Sequence, residues 1–224
     1  MQDLTLIIPA KYESESLPIF LDEIKEFKCK KLVVLQEDDK ITINSIKKFD
    51  NIEILYQKEF GYGAALIEGI NYASTKFFCI INADGSMNPS DLDEMLLRVT
   101  INKLDFVFAS RYEFPGGGSD DDNFITSVGN FFFTKIGNIF FSLKITDILF
   151  TYVLGNTKSF NDLMLTSKDF TLCVEFPIQL KRKNYQYATI PSYERNRIGG
   201  KKKVNAFKDG LLILIKMIKM FFIR

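Results

Sequence analysis

Five short apolar runs divide the first 110 residues, at 4–9, 32–35, 52–56, 77–81 and 105–109. Between them lie stretches with apolar residues at helical spacing, at 17–27, 41–49, 63–73 and 89–99. The last opens with Asn88-Pro89-Ser90-Asp91, a helix start with proline near the first turn. This alternation predicts an α/β fold with a mostly parallel central sheet and helices on both faces. Ligands of such sheets bind at the carboxyl ends of the strands. The run 77–81 ends abruptly in Asn82-Ala83-Asp84-Gly85 and so delivers a carboxylate to that edge. An Asp there, beside a glycine turn, suits a hard divalent ion carrying a nucleotide's phosphates.

The second half reads differently. Residues 113–123 contain Pro115, three glycines and Asp120-Asp121-Asp122, and are expected to be a mobile loop. A Phe-rich segment follows at 124–143, then a helix at 173–183 and a short strand at 187–190. No linker separates two domains, so 1–224 is expected to be a single domain with a core of its own.

The chain has no histidine, which excludes Ser-His-Asp and Cys-His chemistry and the usual zinc sites. Phosphate, carboxylate and hard-metal chemistry remain. The formal net charge of +1 predicts no general attraction to nucleic acid. The charge is uneven, with Lys and Arg crowding 181–219, which points to an anionic partner for that end. Cys29, Cys79 and Cys173 stand far apart in apolar surroundings, as free thiols of a reducing cytoplasm do. The opening MQDLTLIIPA enters a strand directly, with no signal-peptide core.

Several strand ends carry candidate groups. Pro9 stops ladder pairing after the first strand, and Lys11 and Glu13 follow it. Glu13 is placed either to bond a nucleoside's base or ribose or simply to be solvated. Glu37 lies nearer the second strand's end than Asp38 and Asp39, which read more naturally as a charged turn. Gly61-Tyr62-Gly63 opens a helix, where glycines permit tight turns and the helix N-terminus attracts anions. Arg111 either reaches a phosphate or holds an acidic partner in bidentate fashion. Arg195, Arg197, Gly199, Gly200, Lys201, Lys202 and Lys203 form a glycine-hinged basic cluster suited to clamping a pyrophosphate. The tail from Val204 is amphipathic, and Lys216 and Lys219 interrupt any membrane span. It either lies in a bilayer interface or docks on the protein's own core. Phe131, Phe132, Phe133, Phe140 and Phe141 belong either to the same membrane-facing surface or to the core.

Taken in order, these elements resemble family 2 glycosyltransferases of the GT-A fold, closest to the polyprenyl- or dolichyl-phosphate mannosyltransferase-like branch. Ile7-Ile8-Pro9-Ala10-Lys11-Tyr12-Glu13 is similar to the family's IIPAYNE, and Gly61-Tyr62-Gly63-Ala64-Ala65-Leu66 to its GKGAAL. Asn82-Ala83-Asp84 resembles its DAD metal motif, Ser110-Arg111-Tyr112 its SRY, and Gly116-Gly117-Gly118 its GGG loop. Arg197, Gly200 and Lys203 keep the spacing of its late RxxGxSK element. The resemblance implies a nucleotide-sugar-binding half at 1–110, an acceptor half at 111–200 and a basic, amphipathic tail at 201–224. Pro9, Lys11, Glu13, Glu37, Gly63, Asn82, Ala83 and Arg111 would line the nucleotide, Arg197 and Lys203 would bind phosphates, and Asp84 would hold Mg²⁺ or Mn²⁺. Four departures stand out: Asn82 for the motif's first Asp, Gln36-Glu37 for two aspartates, Tyr62 for a lysine and Val153 for an arginine. The lost arginine favours a glycan acceptor over a lipid phosphate.

The implied reaction is inverting transfer from a nucleotide-diphosphate sugar to a glycan or lipid-linked acceptor, in cell-surface polysaccharide or glycolipid synthesis. The protein would sit in the cytoplasm, at the inner leaflet of the membrane, with a homo-oligomer among its expected states. A hydroxyl acceptor needs a general base; Glu175 matches an acidic position of the family, and Asp147 is the second choice. Two rivals remain. A sugar nucleotidyltransferase would carry a basic glycine-rich signature after the first strand, where this chain has Ala10-Lys11-Tyr12-Glu13. A non-catalytic scaffold is kept open by Asn82.

Overall fold

The computed structural model describes residues 1–200 and 203–223. The chain runs β1 (Leu4–Pro9), α1 (Leu17–Glu23), β2 (Lys30–Leu35), α2 (Lys40–Ile46), β3 (Glu53–Tyr56), α3 (Tyr62–Tyr72), β4 (Phe77–Ile80), α4 (Asp91–Ile101) and β5 (Phe106–Ser110). It continues through β6 (Gly118–Ser119), α5 (Phe124–Phe141), β7 (Val153–Asn156), α6 (Thr157–Asp162), α7 (Leu172–Arg182), β8 (Tyr187–Pro191), β9 (Tyr193–Glu194) and α8 (Ala206–Phe222). All five runs read from the first half are strands of one seven-stranded sheet, ordered β3-β2-β1-β4-β7-β5-β8. Every pairing is parallel except those of β7, which runs antiparallel to both β4 and β5.

Side chains alternate across a strand with a period of two, so each strand feeds both faces of the sheet. On one face Leu4, Leu6 and Ile8 of β1, Phe77 and Cys79 of β4, and Val107 and Ala109 of β5 meet α1, α2 and α4. On the other, Ile7, Phe78, Ile80, Phe106 and Phe108 meet α3, α6 and α7. Each Leu, Ile, Val or Phe among them, fully buried, contributes about 1.5–3 kcal/mol. The sheet is therefore covered on both faces, as a largely parallel sheet requires.

A third cluster joins α5, α7 and α8 through Phe133, Val174, Ile178, Ile213, Met217 and Met220. The tail helix thus docks on the protein through one face. Its other face is exposed, with Phe207 at 80% and Phe222 at 78%. At 17 residues α8 is ~25 Å long, and among the described residues no helix is long and apolar enough to cross a membrane.

The segment 113–123 is held more firmly than a mobile loop. Gly118 and Ser119 pair as β6 with β9. Asp122 accepts hydrogen bonds from the Tyr112, Thr126 and Ser127 hydroxyls, and Asn123 caps α5 in a capping box with Thr126.

Candidate active site

The topology sends the key strand ends to one edge. β1, β2, β3, β4, β5 and β8 all point the same way, and β7 enters the sheet from the edge where they end. The strand order reverses between β1 and β4, and open α/β sheets bind ligands in the crevice at such a switch point. Glu13 lies beyond β1 and Asp84 beyond β4, one on each side of it.

The turn after β4 holds Asp84 in place. Its Oδ1 accepts from the Ser86 amide at 3.1 Å and the Ser86 hydroxyl at 2.9 Å. Its Oδ2 lies 3.6 Å from the Arg197 guanidinium, beyond hydrogen-bond reach but close enough for charge attraction. Arg197 is gripped from its other side by Asp121, at 2.9 and 3.3 Å. The Asp121 hydrogen bonds raise the pKa of Arg197, and the charges of Asp84 and Glu13 add to this.

The segment carrying Arg197 runs along the Asp84 turn. The Arg195 amide donates to Ser86 O and the Ile198 amide to Asp84 O, both at 2.8 Å, and the Ile198 side chain lies against Gly85. This brings Lys203 to Glu13, where Nζ donates to Oε1 at 2.7 Å while the Ser16 hydroxyl donates to Oε2 at 2.7 Å. Glu13, Asp84, Arg197 and Lys203 are thus gathered at the switch point. Lys201 and Lys202 of the same basic cluster lie outside the described residues.

Beside them is a neutral cluster. The Tyr62 hydroxyl donates to Asn82 Oδ1 at 3.0 Å and lies 2.6 Å from Thr151 Oγ1, and its ring stacks on Phe170. Thr151 immediately precedes Tyr152-Val153, where β7 starts, so three separate segments meet here. Sequence reading marked Tyr62 as a departure and Asn82 as both a departure and a residue lining the nucleotide, each on its own. Nothing in their spacing showed that they touch.

Pro9 ends β1 opposite Val34, Lys11 and Glu37 are exposed on the same edge, and Ala83 is buried beneath it. Asp39 is structural: it caps α2 through Thr42 and accepts from the Tyr12 amide.

Four expectations need correction. Gly63 does not cradle a phosphate, because the loop 167–169 covers the start of α3. A Cβ on Gly63 would stand 2.3 Å from Ser167 O, and the Ala64 amide donates to Lys168 O at 3.0 Å. Gly61, at φ +120°, serves the same contact. Arg111 does not face a phosphate: Nε and Nη2 donate to the two oxygens of Asp147 at 2.7 and 3.0 Å, and Nη1 donates to Glu194 at 3.0 Å. Asp147 is for the same reason no free base; its side chain is fully buried in that fork.

Glu175 is likewise engaged. It accepts from the Thr166 and Ser167 amides and the Thr166 hydroxyl, and pairs with Lys216 of α8 at 3.0 Å. Burial pushes its pKa up, but the bonds from Ser167 and Lys216 outweigh this and leave it below the ordinary value. A general base needs a free lone pair and a pKa close to the working pH. Glu175 offers neither.

Among the described residues no three His, Cys, Asp or Glu side chains form a metal cage. Asp84 offers one hard carboxylate, and Asn82 Oδ1 is committed to Tyr62. One carboxylate completed by substrate phosphates and water is a familiar magnesium arrangement. The residues fit a Mg²⁺ or Mn²⁺ ion that arrives with a diphosphate better than one held by protein alone.

Comparison with known proteins agrees with this architecture. Glucosyl-3-phosphoglycerate synthase from Mycobacterium tuberculosis, solved with phosphoglyceric acid, superposes with a TM-score of 0.72 at 10% identity, covering 99% of this chain and 80% of that one. The same enzyme solved with Mn²⁺, UDP-glucose and phosphoglyceric acid gives a TM-score of 0.69 at 11% identity, with the same coverage. At such identities the likeness shows the fold. Uncharacterized glycosyltransferases of Mycobacterium bovis and M. tuberculosis are 27% identical over 93 residues, which is 42% of this chain and 42% of their own length. The model of the family described as Glycosyl transferase family 2 matches residues 5–164. That match takes in the switch point, Glu13, Asp84 and the neutral cluster, and the chain belongs to glycosyl transferase family 2.

Proposed function

We propose that this chain transfers a sugar, with inversion, from a nucleotide-diphosphate sugar to a hydroxyl of a glycan or lipid-linked acceptor. The observation that carries the reading is the gathering of Asp84, Arg197, Glu13 and Lys203 at the β1/β4 switch point. Preorganised charge aimed at a leaving group is commonly the largest catalytic term. Arg197 and Lys203 supply positive charge for the departing diphosphate. Lys203 exchanges Glu13 for a phosphate oxygen, which frees Glu13 to accept from the nucleoside. A divalent ion bound at Asp84 with the donor supplies Lewis-acid stabilisation of the same charge.

The acceptor oxygen bonds to the anomeric carbon, the bond to the diphosphate oxygen breaks, and the acceptor's proton passes to a base. We assign that proton to Asp169. Its Oδ1 accepts from the Thr171 amide and hydroxyl, no partner among the described residues takes its other oxygen, and the neighbouring Phe170 stacks on Tyr62. A hydroxyl acceptor is favoured over a lipid phosphate because Val153 is buried in the core and brings no cation to the site.

A membrane surface is the partner that the exposed faces of α5 and α8 suit. Phe131 and Phe140 of α5 and Phe207, Ile218 and Phe222 of α8 are exposed. The two helices pack together through Phe140 and Phe221, and Lys135, Lys208 and Lys219 lie on the same two helices. An apolar face with basic residues suits an anionic bilayer interface.

The test is release of nucleoside diphosphate from UDP-glucose, GDP-mannose, CDP-glucose and dTDP-glucose in Mn²⁺. Wild type should release one of them, and Asp84→Ala should do so about a hundredfold more slowly. Equal release by both proteins, or none by a folded wild type, would overturn the proposal and leave the scaffold reading.

A further inference from the structure

The segment that carries Arg197 is fastened on two sides. On one side the turn after β4 takes the Arg195 and Ile198 amides, each at 2.8 Å, and the Ile198 side chain fills the space beside Gly85. On the other side β9 pairs with β6, the Asp120 amide donates to Glu194 O at 2.9 Å, and the Tyr193 hydroxyl donates to Asp120 at 2.6 Å. Arg111 and the Ser119 hydroxyl both donate to the Glu194 carboxylate. Ser119 Oγ in turn accepts from the Asp121 and Asp122 amides at 3.2 and 2.9 Å, which fixes the backbone that carries Asp121.

A guanidinium offers its N–H groups in one rigid plane. Asp121 takes one edge of the Arg197 plane, Nε to Oδ1 at 3.3 Å and Nη2 to Oδ2 at 2.9 Å. Two parallel bonds fix the orientation of the plane as well as its distance. The remaining nitrogen, Nη1, is the one turned towards Asp84, 3.6 Å from Oδ2, and among the described residues it makes no hydrogen bond. Its donors therefore point to the place where the diphosphate and its ion would lie. Donors already aimed at developing charge need no reorganisation when the reaction occurs.

We infer that Asp121 is a positioning residue for Arg197: it holds one edge of the guanidinium so that Nη1 faces the departing diphosphate before the donor binds. Asp121 touches no reacting atom and acts through the arginine. A competitor for Arg197 would do the opposite, drawing the cation away from the donor, and its removal would speed the reaction. The inference rests on the donor-site reading above and adds to it the group that keeps the cation aimed.

Steady-state release of nucleoside diphosphate from UDP-glucose, GDP-mannose, CDP-glucose and dTDP-glucose in Mn²⁺ tests it, using wild type, Asp121→Ala, Arg197→Lys and the Asp121→Ala/Arg197→Lys double variant. For the donor that wild type turns over, Asp121→Ala should lower kcat about tenfold and change KM by less than about twofold, because an aimed donor matters most as charge builds on the leaving group. Arg197→Lys keeps the charge without the planar fork and should also lower kcat about tenfold. The double variant should be no slower than Arg197→Lys alone, since a lysine has no edge for Asp121 to hold. Should Asp121→Ala fail to fold, Asp121→Asn keeps the shape with one acceptor oxygen and should lower kcat about threefold. Additive losses in the double variant would make Asp121 a neighbouring charge or a structural group and overturn the inference. Faster turnover by Asp121→Ala would overturn it too, in favour of a competitor. If a folded wild type releases nucleotide from none of the four, the donor-site reading fails and this inference falls with it. If wild type turns over a donor and Asp121→Ala matches it, the donor site stands without the inference.

Discussion

At position 175 chemistry and architecture make opposing demands on one carboxylate. Glu175 ties the 166–167 loop to Lys216 of α8, and that loop covers the start of α3. Its neighbours satisfy it fully, whereas among the described residues no partner takes the second oxygen of Asp169, two residues beyond Ser167. Asp169→Asn should therefore abolish transfer with little loss of nucleotide binding, while Glu175→Gln should retain most of the turnover. Single-turnover assays beside nucleotide titrations would separate the two, and the reverse pattern would return Glu175 to the role of base. Because its folded pKa is depressed, Glu175 stabilises the fold above its ordinary value of 4.5, and that stability is lost as pH falls below it. Glu175→Gln should flatten this acid-side loss in denaturant titrations, and an unchanged slope would contradict the pairing.

At the scale of elements, the glycine pair at the head of α3 shows how a motif can be legible while its reason is not. Gly61 and Gly63 stand out in the sequence as a turn into a helix, and an anion at the helix N-terminus is the natural reading. The structure gives that space to the backbone of residues 167–169, about a hundred residues further along. Gly63→Ala should cost about 2 kcal/mol in chemical denaturation, since its Cβ would press on two carbonyl oxygens. A neutral substitution would mean that the loop does not sit there. The parallel strands and their helices were readable because period-two and helical patterns alternate cleanly through residue 110. β7 was not: four residues containing Gly155 are too short for a period, and nothing local says that they insert antiparallel between β4 and β5. β6 and β9 are two residues each and exist only through one another.

At the scale of the whole molecule, sequence placed Glu13, Asp84, Arg197 and Lys203 as separate candidates, and the topology brings them to one crevice. The partners that decide what each can do, Asp121 for Arg197 and Tyr62 for Asn82, come from a loop and from the first turn of α3, and no local pattern records where either lands. The exposed faces of α5 and α8 lend themselves to a simple experiment. The protein should float with liposomes containing phosphatidylserine and not with neutral ones, and Phe207→Asp with Phe222→Asp should release it. Equal flotation of the paired variant would remove the membrane from the account.

In the proposed donor site the divalent ion arrives with the nucleotide and is held by one carboxylate. The most direct measurement is thermal unfolding with Mn²⁺ alone, with UDP, GDP, CDP or dTDP alone, and with both together, on wild type and Asp84→Ala. Mn²⁺ alone should give little shift, one nucleotide should raise Tm clearly only when Mn²⁺ is present, and Asp84→Ala should lose that rise. A strong shift with Mn²⁺ alone, or a nucleotide shift that survives Asp84→Ala, would contradict it.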